Sequence, residues 1–328
     1  MPSESNLKIV LGTMTFGKSG TEGSRVNTVE DVGHFLDAFQ QAGHVELDTA
    51  RGYTSGTSEE LLGEAQWKSR GFELATKIYP SKTVKHTPEF LREYLDISLK
   101  ALQADKVGIF YLHAPDRSTS WEVTFQATDE LYKEGKFNKL GISNYMSWEV
   151  AEIVMLCRAK GWIQPTVYQG IYNAVHRAVE PELFPCLRNF GISFYEYNPL
   201  GGGFFTGKYT ESVNELAKKG TRFDGSTGQS LAYRKRYWKE EYFKAVEIVR
   251  SAAEKHGLTV SECALRWVNH HSAMKREHGD AIIIGASTIT HLEENLADLE
   301  KGPLTEDILV ALDQAWEVVK SVVEPYWR

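Results

Sequence analysis

Val107-Gly108-Ile109-Phe110-Tyr111-Leu112-His113 is a continuous apolar run of strand length that stops on a histidine. Such a run suits a strand buried on both faces, as in a parallel sheet covered by helices. Helical spacing flanks it. Residues 87–102 open with Thr87-Pro88-Glu89, a cap followed by proline at the first helical position, and residues 120–134 follow on the other side. Further outward, short apolar runs recur near residues 8, 45, 73, 140, 167, 193 and 282. Longer amphipathic stretches lie between and after them: residues 28–42, with Val29, Val32, Phe35, Leu36 and Phe39 on one side, then 59–67, 147–160, 180–189, 241–256, 260–270, 291–300 and 306–319. Ser147 is the expected N-cap of the helix it opens. A β-then-α rhythm suits a closed barrel or an open doubly wound sheet, and eight units favour an α/β fold of the (β/α)8 TIM-barrel class. The rhythm breaks over residues 198–240, which are rich in Gly, Ser, Thr, Lys and Arg and carry no clear strand. A long insertion after the seventh strand is expected to be functional. With no internal repeat and no second pattern, residues 1–328 are expected to form a single barrel domain.

Composition narrows the function classes. The chain has 328 residues, 42% of them hydrophobic, and a formal net charge of -7. That balance argues against a nucleic-acid or anionic-membrane surface as the main activity. Residues 1–10 lack a signal-peptide core, and no stretch is long and apolar enough to span a membrane. Cys157, Cys186 and Cys263 are odd in number, far apart and form no CxxC pair. Reduced thiols in a cytoplasmic protein are expected, with neither a disulfide framework nor a zinc site.

In barrels of this class reactive residues sit where strands end and loops begin. Four polar side chains fall there: Asp48 closing Glu46-Leu47-Asp48, Tyr53 five residues on, Lys77 closing Leu74-Ala75-Thr76-Lys77, and His113. Each alone has an ordinary structural role: a turn or cap aspartate, a packed phenol, a lysine reaching solvent, a hydrogen-bonded histidine. Their recurrence at successive strand ends is what points to chemistry. A carbonyl that accepts hydride becomes an alkoxide and needs a proton. A tyrosine can supply it, with an ammonium such as Lys77 lowering the phenol pKa. Asp48 would hold Lys77 protonated, and His113 would orient the oxygen or share the proton transfer.

The spaced motifs Gly12-Thr13-Met14-Thr15-Phe16-Gly17, Leu47-Asp48-Thr49-Ala50-Arg51-Gly52-Tyr53, Thr76-Lys77, Tyr111-Leu112-His113-Ala114-Pro115, Gly141-Ile142-Ser143-Asn144-Tyr145 and Ile284-Gly285-Ala286-Ser287 run along the whole chain. With them the sequence resembles the aldo-keto reductase superfamily. The stretches Tyr195-Glu196-Tyr197-Asn198-Pro199-Leu200, Gly207-Lys208-Tyr209, Tyr233 to Glu240 and Pro325-Tyr326-Trp327-Arg328 make it most similar to the aflatoxin-aldehyde reductase branch. The resemblance implies reduction of aldehydes and ketones with Asp48, Tyr53, Lys77 and His113 as the catalytic tetrad and no metal.

The resemblance also implies bound NADPH; no Gly-x-Gly-x-x-Gly fingerprint in a Rossmann setting is present. Ser143, Asn144 and Gln169 would hold the nicotinamide amide and Tyr197 would stack on the ring, with Asp48 nearby and Gly12, Thr13 and Met14 lining the other side. Asn198, Pro199, Leu200, Gly201, Gly203 and Lys208, with Arg222, would wrap the pyrophosphate; outside the family context, these residues read as a flexible loop and a solvated pair of cations. Ser287, Thr288, His291, Glu294 and Asn295 would receive the adenosine end, where a helix N-terminus favours an anion. His291 is the one cation in that segment, so the preference for NADPH over NADH rests mainly on the resemblance. Tyr233, Arg236 and Arg328, with His113, would approach the substrate, and Arg suits a carboxylate. Dicarbonyls and carboxylate-bearing aldehydes are therefore the expected substrates. Arg234 is expected to be an ordinary helix cation, and Phe16, Tyr111 and Trp121 are candidates for the apolar wall. Glu196 departs from the pattern by placing a carboxylate beside Tyr197; it would face away from the cofactor or pair with a cation. A homodimer is implied. The alternative reading is a nucleotide-sensing subunit like the potassium-channel β subunits, which share this fold; the lack of a long N-terminal extension weighs against it. His270, His271 and His278 with Glu277 and Asp280 suit a polar helix end better than a metal site.

Overall fold

A computed structural model describes residues 6–209 and 221–328. Residues 1–5, and residues 210–220 of the insertion, lie outside the described residues. Among those described, eight strands close into one parallel barrel in chain order: β1 (Lys8–Gly12), β2 (Glu46–Asp48), β3 (Glu73–Ile78), β4 (Val107–Leu112), β5 (Phe137–Ser143), β6 (Pro165–Ile171), β7 (Ser193–Tyr197) and β8 (Ala281–Gly285). Every run expected to be a strand is one. Helices α1 (Val29–Gln41), α2 (Thr57–Glu64), α3 (Pro88–Ala101), α4 (Trp121–Lys133), α5 (Ser147–Lys160) and α6 (Leu183–Phe190) connect the first seven strands. Between β7 and β8 lie α7 (Gly228–Tyr237), α8 (Glu240–Lys255) and α9 (Val260–His270), while α10 (Ile289–Leu299) and α11 (Glu306–Val319) follow β8.

Two buried layers result from strand alternation, which sends successive side chains to opposite faces. Val10, Ala75, Ile109, Tyr111, Val167, Tyr195, Ala281 and Ile283 form the small cluster inside the barrel. The residues between them, such as Leu11, Leu74, Phe110 and Phe194, join the larger core under the helices. Helix ends follow local chemistry. Thr28, Thr259 and Thr288 accept from the backbone N–H three residues on, and Gly161 and Gly191 close α5 and α6 in the left-handed conformation.

Local expectations are corrected at three places. Met146, not Ser147, is the N-cap of α5: buried Glu149 reaches back and accepts from Met146 N at 2.8 Å, so the cap comes from the third helical residue. The helices expected at 59–67 and 180–189 are shifted, to Thr57–Glu64 and Leu183–Phe190. The rhythm break carries no strand among its described residues, as expected. It holds a 3-10 turn at Gly201–Thr206 and the capped helix α7. Both pack through Phe204, whose ring lies 5.1–6.3 Å from Tyr209, Phe223, Tyr237, Trp238, Tyr242 and Phe243. This aromatic core gives the insertion burial that a polar, glycine-rich composition does not suggest.

Candidate active site

The inward parity that builds the small barrel cluster continues up each strand to the C-terminal mouth. Two residues past Val10, Ala75, Tyr111, Val167 and Tyr195 come Gly12, Lys77, His113, Gln169 and Tyr197; Asp48 is opposite Gly12 in the β1–β2 register. Site side chains from five strands, with Gly12 on a sixth, thus converge because each is one more step in a period-2 series. Lys77 Nζ donates to Asp48 Oδ1 at 2.5 Å and to Thr49 O at 2.7 Å, and Gln169 Nε2 donates to Asp48 Oδ2 at 2.7 Å. Lys77, Asp48 and Gln169 are all buried. Tyr53 stands on a 3-10 turn (Tyr53–Gly56) after β2, with Lys77 Nζ 4.9 Å from its ring centre and the His113 ring edge-on at 5.9 Å. The four residues expected to act together lie side by side at the barrel mouth.

Electrostatics set the protonation states. Burial holds Lys77 below the usual lysine range, with Asp48 opposing it. Burial, then Lys77 and Arg328, keep His113 well below the usual imidazole range, so it is neutral. Tyr53 reverses an expectation: burial and then the Asp48 charge push its phenol well above the ordinary value. The nearby ammonium does not lower it on balance, because Lys77 is already matched to Asp48. The phenol is therefore held protonated.

The residues expected to meet a nicotinamide are tightly coupled. Asn144 adopts φ 63°, donates through Nδ2 to His113 O at 2.9 Å and to Ser143 Oγ at 2.8 Å, and accepts from Tyr197 OH at 2.9 Å. The Thr13 side chain is buried, its hydroxyl bonding Asp48 O and Ser58. Gly12 and Met14 are partly exposed beside it. Gly201, Gly202 and Gly203 all have left-handed φ, and an added Cβ at Gly202 would lie 2.3 Å from the Tyr233 ring, so only glycine fits there. Asn198 also has positive φ, and its Nδ2 is buried with no hydrogen-bond partner. Pro199 is buried, Leu200 half-buried and Lys208 exposed, and Arg222 stacks on Tyr233 at 5.3 Å. At the start of α10, Thr288 is the cap, and Ser287 Oγ meets His291 Nδ1 at 3.1 Å. Asn295 is buried and Glu294 exposed. The β1–β8 register puts Gly12 opposite Gly285, which joins this end to the rest of the mouth.

At the rim, Arg236 is half-buried, has no carboxylate partner among the described residues, and leaves its Nε buried without a hydrogen bond. Burial raises the Tyr197 phenol, and the charges of Arg236 and Arg328 oppose that shift. Tyr233 OH donates to Asn198 Oδ1 at 3.3 Å. Arg328 donates to Tyr79 OH at 3.2 Å, its backbone N donates to Asn144 O at 3.0 Å, and Arg117 grips its main-chain oxygen at 2.7 Å. Tyr79, unforeseen from the sequence, stands against His113 with ring centres 5.3 Å apart. Its signal was available: it is the next inward step after Lys77. Arg234 packs on Trp238 and donates to Phe223 O, as an ordinary helix cation does. Phe16 is not pocket wall but outer core against Phe35; Tyr111 lies within the barrel, and Trp121 is half-buried against Tyr145. Glu196 faces the helix layer, away from the cavity, with both oxygens buried and unbonded. His270 and His271 bond Lys301 O and Leu304 N, and Asp280 pairs with Arg188.

The aldo/keto reductase family model matches residues 8–317. Among curated proteins, the chain is 48% identical to an aldo-keto reductase of Pseudocercospora fijiensis over 89% of this chain and 99% of the relative. It is 44% identical to the aldo-keto reductase pigE of Monascus ruber over 98% and 97% of the two chains. It is also 44% identical to aflatoxin B1 aldehyde reductase member 2 of Homo sapiens over 100% and 91%.

Proposed function

The chain belongs to the aldo/keto reductase family, and from that premise we propose that it is an NADPH-dependent reductase, one catalytic unit across residues 1–328, that converts aldehydes and ketones to alcohols with Tyr53 as the proton donor. The carrying observation is the cluster of Tyr53, His113 and the buried Lys77–Asp48 pair. A phenol held protonated by burial suits donation to a developing alkoxide, which is a far stronger base. Lys77 then faces the phenolate left behind, and Asp48 and Thr49 O hold that ammonium in place. His113, as a neutral imidazole, can donate a hydrogen bond to the carbonyl oxygen and fix its position.

The donor set fits a dinucleotide. Asn198 Nδ2 is a buried donor without a partner, and the left-handed glycine run lets backbone approach a pyrophosphate. In this reading Ser143, Asn144 and Gln169 hold the carboxamide, Tyr197 covers the ring, and residues 198–208 with Arg222 hold the phosphates. Ser287, Thr288, His291, Glu294 and Asn295 take the adenosine end. The reduced nicotinamide, when bound, supplies the hydride. Tyr233, Arg236 and Arg328 form the rim for a substrate carboxylate or second carbonyl; the unpaired Arg236 supports this. The human relative is named an aflatoxin B1 aldehyde reductase, and a dicarbonyl or acidic aldehyde is the substrate class proposed here. Among the described residues no helix is long and apolar enough to cross a membrane. The reading extends to a cytoplasmic homodimer, which fractionation and light scattering test.

The deciding experiment is turnover of a panel of aldehydes, ketones and dicarbonyls with NADPH and with NADH, beside Tyr53→Phe. Reduction by the wild type with NADPH, lost in Tyr53→Phe while NADPH still quenches protein fluorescence, is expected. Full activity in that variant refutes the role of Tyr53. Tight NADPH retention with negligible turnover would instead favour a sensing subunit.

A further inference from the structure

The turn that carries Tyr53 is built against backbone preference. Thr54, Ser55 and Gly56 have φ of 46°, 57° and 89°, three left-handed residues in succession, and two of them carry a Cβ. Such a run costs free energy and persists only when its surroundings impose it. Two sets of contacts do so. On one side, Thr54 Oγ1 donates to Phe16 O at 2.7 Å, and an added Cβ at Gly17 would lie 2.4 Å from Thr54, so the β1 loop closes directly on the turn. On the other, Arg51 sends its guanidinium across Gly56 to Glu59 on α2, with Nη1 2.6 Å from Oε2. The crossing is close enough that a Cβ at Gly56 would lie 1.3 Å from Arg51 Nη2. Glu59 is fully buried, and its other oxygen accepts from Thr76 Oγ1 at 2.6 Å, one residue before Lys77. Arg51 N itself donates to Lys77 O at 3.1 Å.

We propose that Arg51 and Glu59 are positioning residues: their buried ion pair clamps the strained turn to α2 and to β3, and so sets the Tyr53 phenol in register with Lys77. The proposal rests on Tyr53 as proton donor. It adds to that reading a device made of residues that touch neither substrate nor cofactor. A buried pair of this kind contributes little net stability but fixes one arrangement, which is what a proton donor on an irregular turn requires. Deleting one partner would strand a buried charge, so the informative variant removes both.

The test compares the wild type with Arg51→Met/Glu59→Gln and with Arg51→Lys, using a small neutral aldehyde. The double variant is expected to keep its circular dichroism spectrum and NADPH affinity while kcat falls about 10- to 100-fold, the scale of a small misplacement of a reacting group. The solvent deuterium isotope effect on kcat should rise as proton transfer becomes slower, and Arg51→Lys should recover part of the rate. If the double variant does not fold, Arg51→Lys, which keeps the charge but loses the planar reach across Gly56, should show the same split against the wild type in smaller measure. A kcat close to wild type with an unchanged isotope effect overturns the proposal, as does parallel loss of NADPH binding and turnover. Failure of the underlying reading is distinct: it appears as an active Tyr53→Phe, whatever the clamp variants do.

Discussion

The floor of the barrel mouth and its rim hold cations in opposite ways. At the floor, Lys77 is buried and its charge is met by Asp48 and Thr49 O; at the rim, Arg236 and Arg328 carry guanidinium groups with no carboxylate partner among the described residues. Burying an ammonium is expensive unless it is paired and bonded. The floor is therefore complete as it stands, which suits a machine that must be the same for every substrate. At the rim the proposed function would have a substrate anion meet these guanidinium groups, and in that reading chemistry and selectivity are separated by depth within the barrel mouth.

Asp48→Asn attacks this comparison most severely. It leaves Lys77 buried with its counter-charge gone, and should cost about 3–5 kcal/mol in urea unfolding along with nearly all turnover. Adding Lys77→Met should restore much of the stability and none of the activity. If the double variant is as unstable as the single, the floor is not held by charge pairing. Arg236→Ala or Arg328→Ala should act at the rim alone. Each is expected to raise KM for a carboxylate-bearing aldehyde roughly 10-fold, the equivalent of one charge-assisted hydrogen bond, with a smaller effect on a neutral aldehyde of similar size. Equal effects on both substrates would remove the distinction between floor and rim.

Glu196 sharpens the comparison from within the barrel wall. It precedes Tyr197 but faces the helices, and burial pushes its carboxyl well above the usual range because no cation meets it. Its folded-state pKa is raised, so the stability it permits is complete below the ordinary carboxylate pKa and declines as pH rises above it. Glu196→Leu should therefore stabilise the protein at pH 7, by about 1–3 kcal/mol, and flatten that decline in melting temperature. Asp48 and Glu196 are both buried carboxylates, yet their removal is expected to have opposite signs. An effect confined to acid belongs to His86, whose imidazole burial holds at about 4. A depressed histidine favours the unfolded chain as it gains a proton, so stability should fall as pH drops from about 6.5 toward 4. His86→Phe should reduce that slope in a thermal-melt series.

Much of the floor was legible in the sequence. Asp48, Lys77 and His113 lie at or within one residue of their strand ends and share the inward parity, whereas Gln169, two residues inside the end of β6, and Tyr197 came from the family resemblance. Tyr79 was equally accessible by that rule. The rim was less legible. Arg328 meets Tyr79 and Asn144 across most of the chain length, and Arg236 lies in an insertion whose order comes from rings gathered around Phe204. The Ser147 cap was misread for a related reason: Ser is the better local candidate, but a buried Glu149 already bound to Arg117 was in place to cap Met146.

The sequence by itself determined the eight strand–helix units of the barrel and the identity of the polar residues near the strand ends, because continuous apolar runs and period-3.6 patterns are local. Only the tertiary structure decided that Tyr53 is held protonated, that Arg51 crosses Gly56 to Glu59, and that Arg236 at the rim keeps a buried Nε without a hydrogen bond. Those facts depend on how much water a closed barrel excludes and on which distant side chains meet, and neither quantity is written in the spacing of residues along the chain.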